Sequence, residues 1–270
     1  MPKYAVLSDI HANADALKVV LEKCREIAVD KYLSLGDIVG YNAEPELCMQ
    51  MVRDLNVCVK VRGNHDDYAV SGNTGMAGIN ANARKAIEWT REHLDAAARS
   101  ELAAPFTANF PPAGMTLVHA TLDTPENWGY IFSVHDALGC FSYQLSRLCF
   151  CGHSHVPVAF DMLPAAGSLG RSVEVLSGWN SNQAHPELDT DFNSPDSLTV
   201  ELKIGHKYLF NIGSIGQPRN GDPRASFAVV DTKNNTVTRY RLPYDIASAQ
   251  NKIIDAGLPE RLAIRLAAGQ

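Results

Sequence analysis

The feature that most constrains this 270-residue chain is a repeated unit in which a short apolar run stops abruptly at polar residues. YAVLSD (4–9) leads into a helix-patterned stretch, ALKVVLEKCREI (16–27). YLSLGD (32–37) leads into ELCMQMVRDL (46–55), and VCVKVRGNHD (57–66) is the third run. Strand alternating with helix predicts βαβαβ and an α/β architecture. Residues 67–104 carry no strand signal and read as helical, most clearly ANARKAIEWTREHL (81–94), and the prolines at 111–112 close that part. MTLVHA (115–120) and RLCFCGHSH (147–155) return to strand.

The last third changes character. SVEVLSG (172–178), LTVELKIG (198–205), KYLFNIGS (207–214), ASFAVVD (225–231) and TVTRYRL (236–242) alternate between polar and apolar, separated by Gly, Asn and Asp. That is an antiparallel pattern. The region of about 160–200, polar at 179–197, reads as an exposed loop insertion, and the end, YDIASAQNKIIDAGLPERLAIRL, as one or two amphipathic helices. With no repeat or linker, residues 1–270 are expected to form one domain, with 67–104 as a helical cap-like segment.

Composition narrows the function classes. Apolar residues make up 46% and charged residues 20%, an ordinary globular balance. The net charge of −6, with no Lys/Arg block, argues against a nucleic-acid partner. No run of about 18 apolar residues exists, so no membrane span is expected. MPKYAVLSD lacks the layout of a signal peptide. The six cysteines, at 24, 48, 58, 140, 149 and 151, form no C-x-x-C pair and read as reduced thiols of a cytoplasmic protein. Cys149 and Cys151, either side of Phe150, would share one strand face.

The ends of five runs collect metal-ligand residue types: Asp9 and His11, Asp37, Asn64-His65-Asp66, His119, and His153 and His155. Strand C-terminal ends in an α/β sheet face the binding crevice, so ligands distant in sequence can converge there. Glycines at 36, 63 and 152 let the backbone turn sharply and approach closely. Carboxylate, imidazole and one amide, without thiolate, suit Mn, Fe, Zn, Co or Ni better than an all-oxygen calcium site. Seven ligands exceed one tetrahedral zinc and fit two adjacent ions sharing a carboxylate. Two such ions about 3.5–4 Å apart can activate a bridging hydroxide and stabilise charge on a phosphoryl group. The isolated His93, His135, His185 and His206 read as surface or packing residues.

The ordered blocks D-x-H, G-D, G-N-H-D, H and G-H-x-H, spanning 9–155, resemble the calcineurin-like metallophosphoesterase superfamily. NIGSIGQPRNGDPRASF (211–227) and the C-terminal GLPERLAIRL are similar to a bacterial subgroup of small metallophosphoesterases. The resemblance implies a four-layer α/β/β/α sandwich with a dimetal site on one edge. Asp9, His11 and His155 would hold one ion, Asn64, His119 and His153 the other, and Asp37 would bridge them. His65 would be the general acid or contact the phosphate. One departure stands out. Protein Ser/Thr phosphatases and symmetrical dinucleoside tetraphosphatases follow G-D with a D-R-G segment, and here Gly40-Tyr41-Asn42 follows instead.

The expected function is hydrolysis of a small phosphodiester or nucleotide-like phosphoester by a dimetal centre. The alternatives are a Ser/Thr protein phosphatase, a dinucleoside polyphosphate hydrolase and, more remotely, a metal-binding scaffold without catalysis. Asp66 is a candidate to orient His65. Arg219 and Arg224, in a Gly-rich loop, are candidate phosphate clamps; a solvated loop arginine is the other reading of Arg224. Asn80, Asn82 and Arg84 are candidate substrate contacts, and Trp128 and Tyr130 could stack on a base or pack as aromatics. Trp89 has helical spacing suited to core. The sequence also allows a homo-oligomer.

Overall fold

The computed structural model describes residues 1–55, 57–71, 76, 78–106, 108–109, 114–164, 172–179 and 196–270. His185, the side chain of Cys58, the prolines at 111–112 and most of the 179–197 stretch lie outside the described residues.

Twelve strands among the described residues form two six-stranded sheets. The first holds β1 (Lys3–Leu7), β2 (Lys31–Ser34), β3 (Val57–Lys60), β9 (Asp196–Glu201), β11 (Ala225–Asp231) and β12 (Thr236–Leu242), ordered β3-β2-β1-β11-β12-β9. The second holds β4 (Ala108–Asn109), β5 (Met115–Val118), β6 (Leu148–Cys151), β7 (Val158–Met162), β8 (Val173–Val175) and β10 (Lys207–Asn211), ordered β4-β5-β6-β10-β7-β8. β1 runs parallel to β2 and β2 to β3, as the βαβαβ reading requires; β5, β6 and β10 are likewise mutually parallel.

Side-chain alternation builds the layers. Along β1, Tyr4 and Val6 point between the sheets, while Ala5 and Leu7 point outward. Along β6, Leu148 and Phe150 face the inter-sheet core, and Cys149 and Cys151 share the opposite face with Cys140. The outer face of the first sheet is covered by α1 (Ala14–Glu26) and α2 (Pro45–Arg53), and that of the second by α6 (Val134–Tyr143). The result is the expected α/β/β/α sandwich. Burying a ring such as Phe150 or Phe210 between the sheets contributes about 2–3 kcal/mol.

The segment 67–104 holds the end of α3 (Asn64–Val70), then α4 (Ala81–Glu92) and α5 (Ala96–Ala103). Two C-terminal helices, α7 (Ile246–Asp255) and α8 (Glu260–Ala268), pack on each other and against α4 around Ile253, Leu262 and Ala86. Trp89 is partly buried at the edge of that cluster and stacks on His93 at 3.8 Å between ring centroids.

The late strands pair mostly antiparallel, as their alternation predicts, but they divide between the two sheets. β9, β11 and β12 extend the first sheet, whereas β10 enters the second, parallel to β6 and antiparallel to β7. A local alternation pattern fixes which face is buried, not which sheet a strand joins. In the region of about 160–200, the described residues include strand and core. β7 runs to Met162, β8 follows, and Trp179 is fully buried between the sheets, its indole N–H donating to Asn211 O at 2.8 Å.

Candidate metal centre

All five ligand-bearing loops leave the C-terminal ends of parallel strands at the same edge of the sandwich. Asp9 and His11 follow β1, Asp37 follows β2, Asn64 and His65 open α3 after β3, His119 follows β5, and His153 and His155 follow β6. Backbone bonds lock the loops together. Asp9 N donates to Gly36 O (3.1 Å), His11 N to Asp37 O (2.9 Å) and Gly152 N to His119 O (3.0 Å). Close approach needs glycine at two of these crossings. A Cβ on Gly63 would lie 2.1 Å from Asp37 Oδ1, and one on Gly152 would lie 2.3 Å from Asp9 Oδ2. Asp9, His11, Asp37, His153 and His155 all adopt positive φ, between 49° and 64°. Such backbone strain in non-glycine residues clusters at functional sites.

The side chains form two groups that share one carboxylate. In the first, single ligand atoms of Asp9, His11, Asp37 and His155 lie within 4.8 Å of one another, all buried. His155 Nε2 is 3.3 Å from Asp9 Oδ1 and 3.1 Å from His11 Nε2. In the second, His119 Nε2 is 3.0 Å from Asn64 Oδ1, which in turn is 2.8 Å from His153 Nδ1. Asp37 joins them. Its Oδ1 accepts from the His65 backbone N–H at 2.8 Å. Its Oδ2 lies 3.5 Å from His11 Nε2 and 3.4 Å from His119 Nε2, buried and without a hydrogen-bond partner among the described residues.

Three ring orientations are fixed from behind. His11 Nδ1 faces Val39 O (3.0 Å), His119 Nδ1 faces Leu35 O (2.8 Å) and His155 Nδ1 faces Gln217 O (2.6 Å). A carbonyl at Nδ1 holds the proton there and leaves the Nε2 lone pair for a cation, the usual outer arrangement of metal-binding histidines. His153 differs, presenting Nδ1 inward. An orphaned carboxylate oxygen, converging imidazole nitrogens and an amide oxygen fit divalent cations of the borderline class.

The electrostatics agree with that fit. Burial works to raise the Asp9 and Asp37 carboxyls, but surrounding imidazoles hold both well below the usual range. Burial works to lower His119, yet Asp37 and Asp9 raise it to about 9, so a cation held there would displace a proton from this ring. Burial depresses His11, brings His65 to about 4 and His153 to about 3, each kept neutral as a ligand or a hydrogen-bonding ring must be.

His65 is buried beside this centre. Its ring centroid is 4.8 Å from that of His11 and 4.3 Å from that of Tyr41, and Nδ1 presses against Gly40, where a Cβ would lie 2.5 Å away. Asp66 does not orient it. Its carboxylate accepts from the backbone N–H groups of Asp37 (2.8 Å), Ile38 (2.9 Å), Val39 (3.3 Å) and Gly63 (3.2 Å). Adjacent helical side chains diverge, so Asp66 fixes the Asp37 loop instead.

A cleft of about 520 Å³ opens over the centre. Asn80, Trp128 and Arg219 line it, as expected. Trp128 meets His119 edge-on at 5.8 Å, and Tyr130 stacks on His153 at 4.5 Å. Asn80 is also engaged locally, capping α4 by accepting from Asn82 N at 2.9 Å. Arg219 is held over Tyr41, with Nη2 donating to Tyr41 Oη (3.0 Å) and Gln217 Oε1 (2.9 Å). Arg224 is not a cleft residue: it is buried, bonded through Nε and Nη2 to Asp222 (3.0 and 2.7 Å) and through Nη2 to Asp196 (3.1 Å). Arg84 turns to Met76 O (2.5 Å), and neither it nor Asn82 lines the cleft. The sequence reading missed Tyr41, Tyr68 and Arg265, all in the cleft wall. Tyr41 had a signal, since it occupies the segment where D-R-G was absent.

This fold and this edge define a class. A calcineurin-like phosphoesterase superfamily domain matches residues 3–174, and the chain belongs to that superfamily, whose members depend on divalent metals. Similarity extends beyond the matched residues. An uncharacterized protein of Methanocaldococcus jannaschii is 34% identical over 271 residues, covering 98% of each chain. The crystal structure of a metallophosphoesterase from Sphaerobacter thermophilus is 34% identical, with a TM-score of 0.78 over 100% of this chain and 99% of that one. That of a hypothetical protein from Pyrococcus horikoshii shares the fold, with 21% identity, a TM-score of 0.73 and coverage of 100% and 99%.

Proposed function

We propose that the protein is a two-metal phosphoesterase acting on small phosphodiester or nucleotide-like substrates. The observation that carries this reading is Asp37 Oδ2, without a hydrogen-bond partner among the described residues and lying between His11 Nε2 and His119 Nε2, one from each ligand group. Asp9, His11 and His155 would hold one divalent ion and Asn64, His119 and His153 the other, with Asp37 common to both. Bound there, the two ions would supply charge neutralisation at phosphorus and acidified water. Mn, Fe, Zn, Co and Ni all suit the donor set.

The chain's own residues do the rest. His65, neutral and packed between His11 and Tyr41, donates an N–H hydrogen bond to a phosphoester oxygen. Arg219, held by Tyr41 and Gln217, presents its guanidinium to the phosphoryl group. Trp128 and Tyr130 offer apolar surface for an aromatic leaving or base group, and Asn80 a polar contact on the α4 side. A cleft of about 520 Å³ has the size of a small-molecule site. The structural likeness to the Sphaerobacter metallophosphoesterase supports the same chemistry.

The test is a hydrolysis panel at saturating Mn²⁺: a bis-aryl phosphate diester, the matching monoester, a dinucleoside polyphosphate and a phosphoprotein. The diester is expected to be cleaved faster than the monoester, because it carries one charge fewer and leaves one ester group to lie along the wall. A clear monoester preference or efficient phosphoprotein turnover would overturn the diester assignment. Cleavage of none of the four would overturn the phosphoesterase reading.

A further inference from the structure

The charge of the cleft wall is one-sided. Outside the metal-ligand cluster, its charged side chains among the described residues are Arg219 and Arg265, and no Asp or Glu lines it. Neither guanidinium forms an ion pair with an Asp or Glu side chain among the described residues. Arg219 bonds to neutral Tyr41 and Gln217, and Arg265 Nε donates to an oxygen of Gln270 at 2.8 Å. Two half-buried guanidiniums on one wall, with no Asp or Glu side chain beside them among the described residues, offer donors and positive charge to an anion.

They are also presented rigidly, from two segments locked together. Arg219 lies on the loop after β10, and Arg265 on α8, whose inner face (Leu262, Ala263, Leu266) packs against α4 and α7. The end of α8 is docked on the Arg219 loop. Gly221 N donates to Gly269 O at 2.9 Å, and a Cβ on Gly269 would come within 2.6 Å of Asp222 N. The two arginines enter the wall from different sides. Arg219 is tied to the centre, its backbone N donating to His155 O at 3.2 Å and its guanidinium lying over Tyr41, whose ring is 4.6 Å from that of His11. Arg265 reaches the same wall from α8, behind that loop.

We infer that Arg265, together with Arg219, forms a subsite for a second phosphate group on the substrate, so that the preferred phosphoester carries an anionic phosphate beyond the bond being cleaved. The inference rests on the phosphoesterase reading above and deepens it. The phosphoryl group under attack takes the metal centre and the near guanidinium. The additional phosphate takes the far one, whose planar fork matches two phosphate oxygens. A helix remote from the ligand motifs in sequence thereby sets specificity.

Binding separates this inference from the chemistry. With Mn²⁺ present, calorimetric titration of the full chain with thymidine 3′,5′-bisphosphate and with thymidine 5′-monophosphate should show the bisphosphate binding about tenfold more tightly, one charge-assisted contact's worth. Arg265→Gln should reduce that preference to within about twofold while leaving the monophosphate affinity unchanged. Arg265→Lys should retain most of it, since the charge stays. Wild-type protein that binds both nucleotides alike, or neither, would overturn the inference. So would an Arg265→Gln variant, folded by circular dichroism, that keeps the preference or weakens both ligands equally. Because occupancy rather than turnover is read, a silent hydrolysis panel beside a bisphosphate preference would break the phosphoesterase reading and leave the subsite standing.

Discussion

Two buried charged clusters sit in this molecule, and they are built in opposite ways. At the sandwich edge, Asp9 and Asp37 face His11, His119 and His155, with Asn64 and His153 beside them; Asp37 Oδ2 has no hydrogen-bond partner among the described residues. Behind the Arg219 loop, Asp222 is satisfied at both oxygens. Oδ1 accepts from Arg224 N (3.1 Å) and Nε (3.0 Å), and Oδ2 accepts from Arg224 Nη2 and Arg241 Nη1 at 2.7 Å each. Asp196 adds a further carboxylate to Arg224. Apart from Asp196, whose side chain is 37% exposed, both clusters are nearly closed to solvent. The first converges acceptors and imidazole nitrogens on a point with few donors; in the second, both oxygens of Asp222 are matched by N–H donors. Buried charge arranged like Asp222 holds structure, and buried charge arranged like the first cluster suits a cation.

The comparison breaks most sharply at its two carboxylates. Asp37→Asn removes the charge common to both ligand groups while keeping shape. Activity should fall by about 10⁴-fold, the equivalent of several kcal/mol of charge stabilisation, and metal content measured by mass spectrometry should fall with it. Full metal loading in that variant would show that Asp37 is not the shared ligand. His65→Ala sharpens the contrast within the first cluster. It should cost at least about 10²-fold in kcat, as loss of a hydrogen-bond donor positioned at the transition state does, while both metals and the unfolding midpoint persist. If the metals leave with the imidazole, His65 belongs among the ligands.

Asp222→Asn has the smallest effect on turnover. It leaves Arg224 and Arg241 without their main counter-charge, so unfolding free energy should drop by about 3–5 kcal/mol. Metal content and kcat per folded molecule should stay the same. The pH dependence carries a sign. Burial works to raise the Asp222 carboxyl, but Arg224 and Arg241 hold it below the ordinary value. Its contribution to stability is therefore present above the unfolded-state value near about 3.9 and lost as pH falls through the lower folded value. Denaturant titrations across the acid limb should show a steeper loss in wild type than in Asp222→Asn. Parallel curves would mean that Asp222 adds nothing through its charge.

Much of the candidate site was legible because the residues brought together there are tied to local signals. Asp9, Asp37, Asn64, His119 and His153 each end an apolar run, and the glycines at 36, 63 and 152 mark the close crossings. Asp66 misled because adjacency in sequence says little about direction. Arg224 misled because a Gly-rich loop looks solvent-exposed until β9 and β12 are laid beside it, bringing Asp196 and Arg241 to it.

What the sequence determined by itself was local: the strand–helix order, the face each strand buries, and a set of ligand types at strand ends. These follow from side-chain periodicity and turn chemistry, which act over a few residues. Only the tertiary structure decided which sheet received β10, which arginine faced the cleft, and that Arg265 on α8 joined Arg219 there. Those outcomes depend on packing between segments far apart in the chain. Such packing is set by how whole faces fit, as where α8 closes on α4 and α7, and no window of neighbouring residues records it.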